Sequence, residues 1–447
     1  MTQPTIYALS TVYGKSGVAV IRISGTAALQ AVAALTELDV GKIKPRYAYF
    51  QTLRRPQTGE SLDQALILYF RAPHSFTGED IVEIQCHGSK AVIKSLLDVL
   101  GSLPGYRLAE PGEFSKRAFH NNKFDLTAAE GLADLIDSET SEQQKYALRQ
   151  MEGSLKNLYE GWRSRLLQNL AHLEAFIDFP DEELPEDVVN NMLNDVFKLS
   201  AAIKEHLNSA AVGERLREGF RVVVVGPPNA GKSSLLNAVV KREAVIVSDI
   251  AGTTRDAIDV NLDINGYPVM FTDTAGLREV EDEIERKGIA IALNKVKEAD
   301  LLICLFDACK DSVHIFENIA KSFKNKILYV ANKCDNLTNE HCTKLQREGI
   351  ITISAKHNQG INNLLQVIAV EISERFTSGS GLLLTRSRYR QALTAAAENL
   401  DNFGFDKEIE LSAEDLRLAA RELGKITGKI EVDEILDKIF GDFCIGK

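Results

Sequence analysis

The sequence predicts a multidomain chain: an α+β domain at the N-terminus, a discontinuous α-helical domain, and an α/β domain inserted into the helical one. Three observations predict it. Residues 1–120 mix strand-like alternation with a helical run. Residues 121–216 and 379–447 carry apolar side chains at helical spacing on either side of 217–378. Residues 217–378 alternate strand runs (221–225, 268–272, 301–306, 327–331) with helices (234–240, 361–374), the rhythm of a doubly wound parallel sheet. A chain of 447 residues is long enough for two to four domains, each burying its own core.

In the first domain, residues 18–23 and 65–70 read as strands, and 80–86 reads as a half-buried strand because polar and apolar residues alternate. A helical run follows from Lys90 to Leu100. No phosphate-cradling segment occurs here. Arg22, Glu79, His87, Arg117 and Lys123 stand at strand ends and in loops, where each taken singly is a solvated or structural residue. Further on, Leu148, Met151, Leu155, Leu158, Trp162, Leu166, Leu170, Leu173 and Ile177 recur at steps of three and four. This predicts one apolar stripe on a long helix, the core of a bundle rather than a cofactor pocket. Residues 179–185 break the run with two prolines. Past a flexible linker at 377–381, helices are predicted near 384–402, 412–424 and 431–440.

Chemistry concentrates in the inserted domain. Residues 226–233, Gly-Pro-Pro-Asn-Ala-Gly-Lys-Ser, fit G-x-x-x-x-G-K-[ST], with Gly226, Gly231, Lys232 and Ser233 in the fixed places. Backbone N–H groups must curl around an anionic phosphate, and the following helix turns its positive end to the same charge. Lys232 would reach the β- and γ-phosphates and Ser233 would hold Mg²⁺. Asp273-Thr274-Ala275-Gly276 follows a strand; the Asp can hold Mg²⁺ through water and the Gly can offer its N–H to the γ-phosphate. Thr254, in Gly252-Thr253-Thr254-Arg255-Asp256, would complete the Mg²⁺ shell. Asn332-Lys333-Cys334-Asp335 follows another strand. The Asp335 carboxylate can accept from guanine N1–H and the exocyclic amine, a pair adenine does not offer. Ser354-Ala355-Lys356 supplies backbone donors to the guanine oxygen. Four motifs in this order predict a Ras-like P-loop GTPase domain. Nucleotide contacts are expected from Asn229, Ala230, Gly231, Lys232, Ser233 and Ser234, from the loop Ser248, Asp249, Ile250, Ala251, Gly252, Thr253 and Thr254, and from Asp273, Thr274, Ala275, Gly276, Asn332, Lys333, Asp335, Ser354, Ala355 and Lys356.

Leu277 stands where many small GTPases carry a water-orienting Gln, so another group must orient the water or hydrolysis is slow. Asn229 within the phosphate loop either coordinates a monovalent cation beside the phosphates or braces its loop.

The net charge of −11 argues against a broadly basic nucleic-acid surface. The N-terminus lacks the basic and apolar regions of a signal peptide, and no apolar run is long enough for a bilayer. Six scattered cysteines without a C-x-x-C pair predict reduced thiols in the cytoplasm. Cys444 sits where a prenylated cysteine would, but the tail Cys444-Ile445-Gly446-Lys447 lacks an aliphatic residue at Gly446, which argues against lipidation.

Together these residues resemble the MnmE (TrmE) family of tRNA-modification GTPases over the whole chain. The matching stretches are Arg22-Ile23-Ser24-Gly25, Ser75-Phe76-Thr77-Gly78-Glu79-Asp80, Pro111-Gly112-Glu113-Phe114-Ser115, Asp134-Leu135-Ile136-Asp137, Phe179-Pro180-Asp181-Glu182-Glu183, the GTPase motifs and the terminal Cys444-Ile445-Gly446-Lys447. The resemblance implies an N-terminal domain similar to folate-binding domains, which also dimerises, with folate contacts at Arg22, Glu79, Lys123 and Lys447. It implies K⁺ held by Asn229, Ser248, Ile250 and Thr253, and Mg²⁺ by Ser233 and Thr254. Ser248 departs mildly, since Thr is common there, but an oxygen is available either way. Glu285 matches the family's water-orienting Glu, which with Lys232 and Asp273 makes the expected catalytic set. The resemblance also implies work with the FAD protein MnmG on the wobble uridine of certain tRNAs, adding an aminomethyl or carboxymethylaminomethyl group whose carbon comes from methylene-tetrahydrofolate.

Two other functions compete with this one. A ribosome-assembly GTPase of the Era or Der kind would need a KH module with its GXXG loop or a second GTPase domain, and neither is seen. A scaffold without turnover is favoured by Leu277 but opposed by Glu285.

Overall fold

The computed structural model describes residues 3–178, 185–242, 259–273, 296–377 and 383–430, with 436, 439–441, 443 and 446. They fall into two compact units, one of residues 1–133, 150–161 and 424–447, the other of 134–149 and 162–423.

The first unit is built on β1 (Thr5–Leu9), β2 (Ser16–Ser24), β3 (Tyr49–Arg54), β4 (Ser61–Phe70), β5 (Ile81–Gly88) and β6 (Tyr106–Leu108), in the order β3-β4-β5-β2-β1-β6. Neighbours are antiparallel except β1 and β6. Period-two alternation splits the strands between two faces. On one, Tyr7, Ile21, Ile23, Val82 and Ile84 pack with Ala28, Val32 and Leu35 of α1 (Ala28–Leu35) and Ile93, Leu96 and Leu100 of α2 (Lys90–Gly101). Each large aliphatic buried here contributes roughly 1.5–3 kcal/mol. On the other, Ile6 and Ala8 of β1 meet Phe114 of α3 (Glu113–His120). The three predicted strands and the helix form. β1, β3 and β6 are additional: β6 has three residues, and β3 is an edge strand whose mostly half-exposed side chains show little alternation.

α4 (Leu126–Ile136) follows, then α5 (Ser141–Met151) and α6 (Ser154–Asp178). The single long helix predicted across 148–177 is therefore two. Gly153 has φ +88° and its N–H is taken by Gln150 O, a left-handed residue that ends a helix and cannot continue it. The buried line runs through Leu155, Tyr159, Trp162, Leu166, Leu170 and Leu173, while Leu148 is exposed.

In the second unit α7 (Glu186–Leu207) lies beside the helix Ser387–Asn402, with Ser200 Oγ and Lys204 Nζ both donating to Asp401 Oδ1. After α8 (Ala210–Glu218) come β7 (Phe220–Val225), α9 (Lys232–Val240), β8 (Asp259–Ile264), β9 (Tyr267–Asp273), β10 (Leu301–Asp307), β11 (Lys326–Asn332) and β12 (Ile351–Thr352). The sheet order is β12-β11-β10-β7-β9-β8. Five strands are parallel, as the rhythm predicted; β8 is an antiparallel edge joined to β9 through Asn265-Gly266. That dipeptide between alternating runs, both residues at positive φ, is a hairpin signal not read from the sequence. β10 is buried on both faces: Leu301, Ile303 and Leu305 face α9 and the helix Ile361–Thr377, and Leu302, Cys304 and Phe306 face Phe316. Helices Ser387–Asn402 and Ile409–Thr427 correspond to two of the three predicted near the end; most of the third lies outside the described residues.

Candidate functional site

β7 leads directly into the glycine-rich loop. A Cβ on Gly226 would lie 2.0 Å from Leu305 O, and one on Gly231, at φ +99°, would lie 2.2 Å from Asn332 Nδ2. The loop therefore has to be bare backbone at both positions, as a phosphate cradle is. Asn229 adopts φ +64°, a region Asn tolerates. α9 starts at Lys232, so the N–H groups of its first turn and its positive dipole end sit at the loop. Lys232 Nζ donates to Gly226 O at 2.8 Å and Pro227 O at 3.1 Å, which holds the ammonium at the cradle. Ala230 is buried, and Ser233 and Ser234 are exposed in the first turn of the helix. Asp273, ending β9, is in register with Val224 of β7. Among the described residues no group of three His, Cys, Asp or Glu side chains gathers for a metal. A hydroxyl at Ser233 beside a phosphate cradle suits a hard cation that takes oxygen ligands, such as Mg²⁺.

The other end of the site is built around Asn332, 2% exposed at the close of β11. Its Nδ2 donates to Ala230 O at 2.7 Å, and its Oδ1 accepts from Ala355 N–H at 3.0 Å and Lys333 N–H at 2.8 Å. One side chain thus joins the phosphate loop to both guanine loops. Lys333, at φ +64°, donates through Nζ to Asp307 Oδ2 at 2.7 Å. Burial pushes the Asp307 carboxyl up, but Lys333 and the Cys309 N–H outweigh it and hold the acid below its ordinary range. Asp335 Oδ1 accepts from Ser354 Oγ at 2.5 Å, which together with the charges of His357 and Lys356 keeps it ionised to lower pH than usual. An ionised, oriented carboxylate is the acceptor that the guanine edge requires. Ser354 is fully buried, and Lys356 is exposed.

The structure therefore brings Asn229, Ala230, Gly231, Lys232, Ser233 and Ser234 together with Asn332, Lys333, Asp335, Ser354 and Ala355. Asp307 was not foreseen; its signal was a carboxylate closing the apolar run 301–306. Ser248, Asp249, Ile250, Ala251, Gly252, Thr253, Thr254, Thr274, Ala275, Gly276, Glu285 and Lys447 lie outside the described residues, as does the side chain of Asp273.

In the first unit Arg22 donates to Glu83 Oε1 through Nε (3.0 Å) and Nη2 (2.9 Å), and its guanidinium lies 5.4 Å from the Phe76 ring centre. Its Nη1 reaches Gly446 O at 3.5 Å, an oxygen that also accepts from Ser10 Oγ at 3.0 Å. Gly446 has φ +98°, and a Cβ there would lie 2.3 Å from Leu9 O, so the close approach of the tail to β1 requires glycine. Glu79 accepts from Ser24 Oγ at 2.7 Å and from Arg117 Nη1 at 3.2 and 3.1 Å. Arg117 also binds Glu113 Oε1, 3.0 Å from Nη2. The sequence had left Arg117 as an ordinary polar residue, although Glu113 and Arg117 stand one helical turn apart. Lys123 Nζ donates to Pro73 O at 2.8 Å.

Known proteins match the chain over nearly its whole length. The family model "MnmE helical domain" matches residues 126–444, and "GTP-binding protein TrmE N-terminus" matches 5–123. A tRNA modification GTPase MnmE of Paramagnetospirillum magneticum is 47% identical over 448 residues, covering 99% of each chain. That of Parvibaculum lavamentivorans is 48% identical over 447 residues, 99% of this chain and 100% of the relative. Among solved structures, the G domain of the T. maritima FeoB iron transporter is 21% identical, with TM-score 0.27, covering 35% of this chain and 98% of that one.

Proposed function

The chain belongs to the MnmE family of tRNA modification GTPases, and from that premise we propose that it binds and hydrolyses GTP in the service of tRNA modification. In this reading it works with an FAD protein of the MnmG kind and adds a carboxymethylaminomethyl or aminomethyl group to C5 of the wobble uridine of certain tRNAs, with the carbon drawn from methylene-tetrahydrofolate. The protein is a cytoplasmic homodimer. Residues 1–120 form the folate-binding and dimerisation domain, 121–216 and 379–447 one helical domain, and 217–378 the GTPase domain. No helix among the described residues is long and apolar enough to cross a membrane.

The observation that carries the nucleotide part is Asn332, whose amide ties the phosphate loop to the loops bearing Asp335 and Ser354. The loop N–H groups and the dipole of α9 bind the phosphates before any charge develops, so little reorganisation is left for the transition state. Lys232 exchanges its carbonyl partners for phosphate oxygens. Ser233 and Thr254 would hold Mg²⁺, which neutralises charge between the phosphates when bound. Asn229, Ser248, Ile250 and Thr253 would hold K⁺, and Glu285 would orient the water in the place of Leu277.

For the folate part, Glu79 can accept from the amino-pyrimidine edge of a pterin, with Arg22, Lys123 and Lys447 available for its polar atoms and carboxylates. Two measurements test the reading. GTP turnover in potassium and sodium chloride at equal ionic strength should differ strongly; equal rates would remove the K⁺ assignment. Calorimetry with formyl-tetrahydrofolate should show binding to the intact chain and weaker binding once the chain is cut before Cys444. No binding to the intact chain would remove the folate assignment.

A further inference from the structure

We propose that Cys334 and Cys342 form a thiol pair that closes to an intramolecular disulfide and, in closing, weakens guanine-nucleotide binding; its second half rests on the reading of Asp335 given above. Cys334 is the third residue of Asn332-Lys333-Cys334-Asp335, and Cys342 stands in the first turns of the helix Asn339–Arg347. The chain reverses between them. Leu337 N–H donates to Cys334 O at 3.1 Å, and Thr338 caps the helix while its carbonyl accepts from Cys342 N–H at 3.1 Å. This reversal carries Cys342 Sγ to 3.8 Å from Cys334 O, onto the residue that bears the other thiol. Both side chains are half-buried, so a small oxidant can reach them. By contrast Cys86 and Cys304 are buried in the cores of the two different sheets.

The oxidant class is a small disulfide such as glutathione disulfide. One cysteine thiolate attacks it, forms a mixed disulfide and releases one glutathione. The second cysteine displaces the other glutathione, so two protein thiols become one S–S bond and one glutathione disulfide becomes two glutathiones. Burial, then the neighbouring Cys342, raises the Cys334 thiol above its ordinary range. Closure turns the Cys334 side chain onto the helix and takes Cys342 Sγ off Cys334 O. Cys334 is the link between Lys333, held by Asp307, and Asp335, held by Ser354, and its own N–H is tied to Ile353 O at 3.1 Å. A chain so constrained on both sides passes the displacement to Asp335. Two charge-assisted bonds to guanine then lose their alignment, and affinity falls about tenfold or more.

The test uses the full chain equilibrated in glutathione redox buffers. Peptide mapping after alkylation reads the Cys334–Cys342 link, and titration with a fluorescent GDP reads affinity with and without reductant. The expected result is a linked peptide in oxidising buffer and a GDP affinity that drops about tenfold and recovers on reduction. The Cys342→Ser chain should bind GDP normally in both buffers. Because the coupling is reciprocal, saturating GDP should lower the ratio of linked to reduced protein by the same factor. Absence of the linked peptide in fully oxidising buffer overturns the proposal, and so does a link that forms without change in GDP affinity. If the reduced chain fails to bind GDP, the reading of Asp335 and the second half of the proposal fall together, while the peptide map still decides the thiol pair.

Discussion

Asn332 and Asp335 show how unequal neighbouring residues of one motif are. Asn332 makes three hydrogen bonds from a buried position, so Asn332→Ala strands Ala230 C=O and the N–H groups of Lys333 and Ala355 at once. A destabilisation of about 3 kcal/mol is expected in urea unfolding, with loss of nucleotide binding at both ends of the site. Asp335 makes its chief contact with Ser354, and its worth lies in what it accepts from the base. Asp335→Asn should keep the fold and move preference from guanine to xanthine nucleotides, because the amide donates where the carboxylate accepted. Competition binding with the two triphosphates measures this; an unchanged GTP affinity would show that Asp335 does not read the base. Asn229→Ala should bind GTP through the loop backbone and lose any dependence of turnover on K⁺, which a salt series would show.

At the scale of elements, α6 and α7 meet where Trp162 lies edge-on to His206, ring centres 5.7 Å apart and planes at 75°. His206 is 5% exposed, and burial pushes its pKa down from 6.5 to about 4. The neutral ring is the form that fits. The unfolded chain takes up a proton below about 6.5 and the folded chain does not until near 4. The stability this contributes is therefore complete above pH 6.5 and is lost as pH falls towards 4, by roughly 3 kcal/mol at the limit. Urea unfolding of the helical signal at pH 7.5 and pH 5 should show the difference, and His206→Phe should flatten it. A slope unchanged in the variant would assign the acid sensitivity to other groups. Gly153, one left-handed residue, divides a stripe that periodicity alone reads as continuous.

At the scale of the molecule, each unit has a core of its own, one around the sheet bearing Arg22, the other around the sheet that leads into the phosphate loop. Ligands that bind different units should stabilise different transitions. In calorimetry GDP at a hundredfold excess over its dissociation constant should raise the second unit by about 2.7 kcal/mol, and formyl-tetrahydrofolate should raise the first by a similar amount. A single transition shifted equally by both ligands would show that the units unfold as one.

What the amino-acid order determined by itself was whatever is carried by consecutive residues. The phosphate loop is eight residues in a row whose backbone is the binding group, so its pattern and its strand and helix flanks could be read directly, as could the strand run 301–306 within β10. The pattern was weaker where an element is short, as in β6, or has few buried side chains to set a period, as in β3. Tertiary structure decided the meetings of residues far apart in the chain: Asn332 with Ala230, Arg117 with Glu79, and Gly446 with Arg22. These contacts depend on which strand ends and loops the sheets bring side by side. A side chain that answers to a distant partner imposes no period on its own neighbours, so nothing local records the pairing.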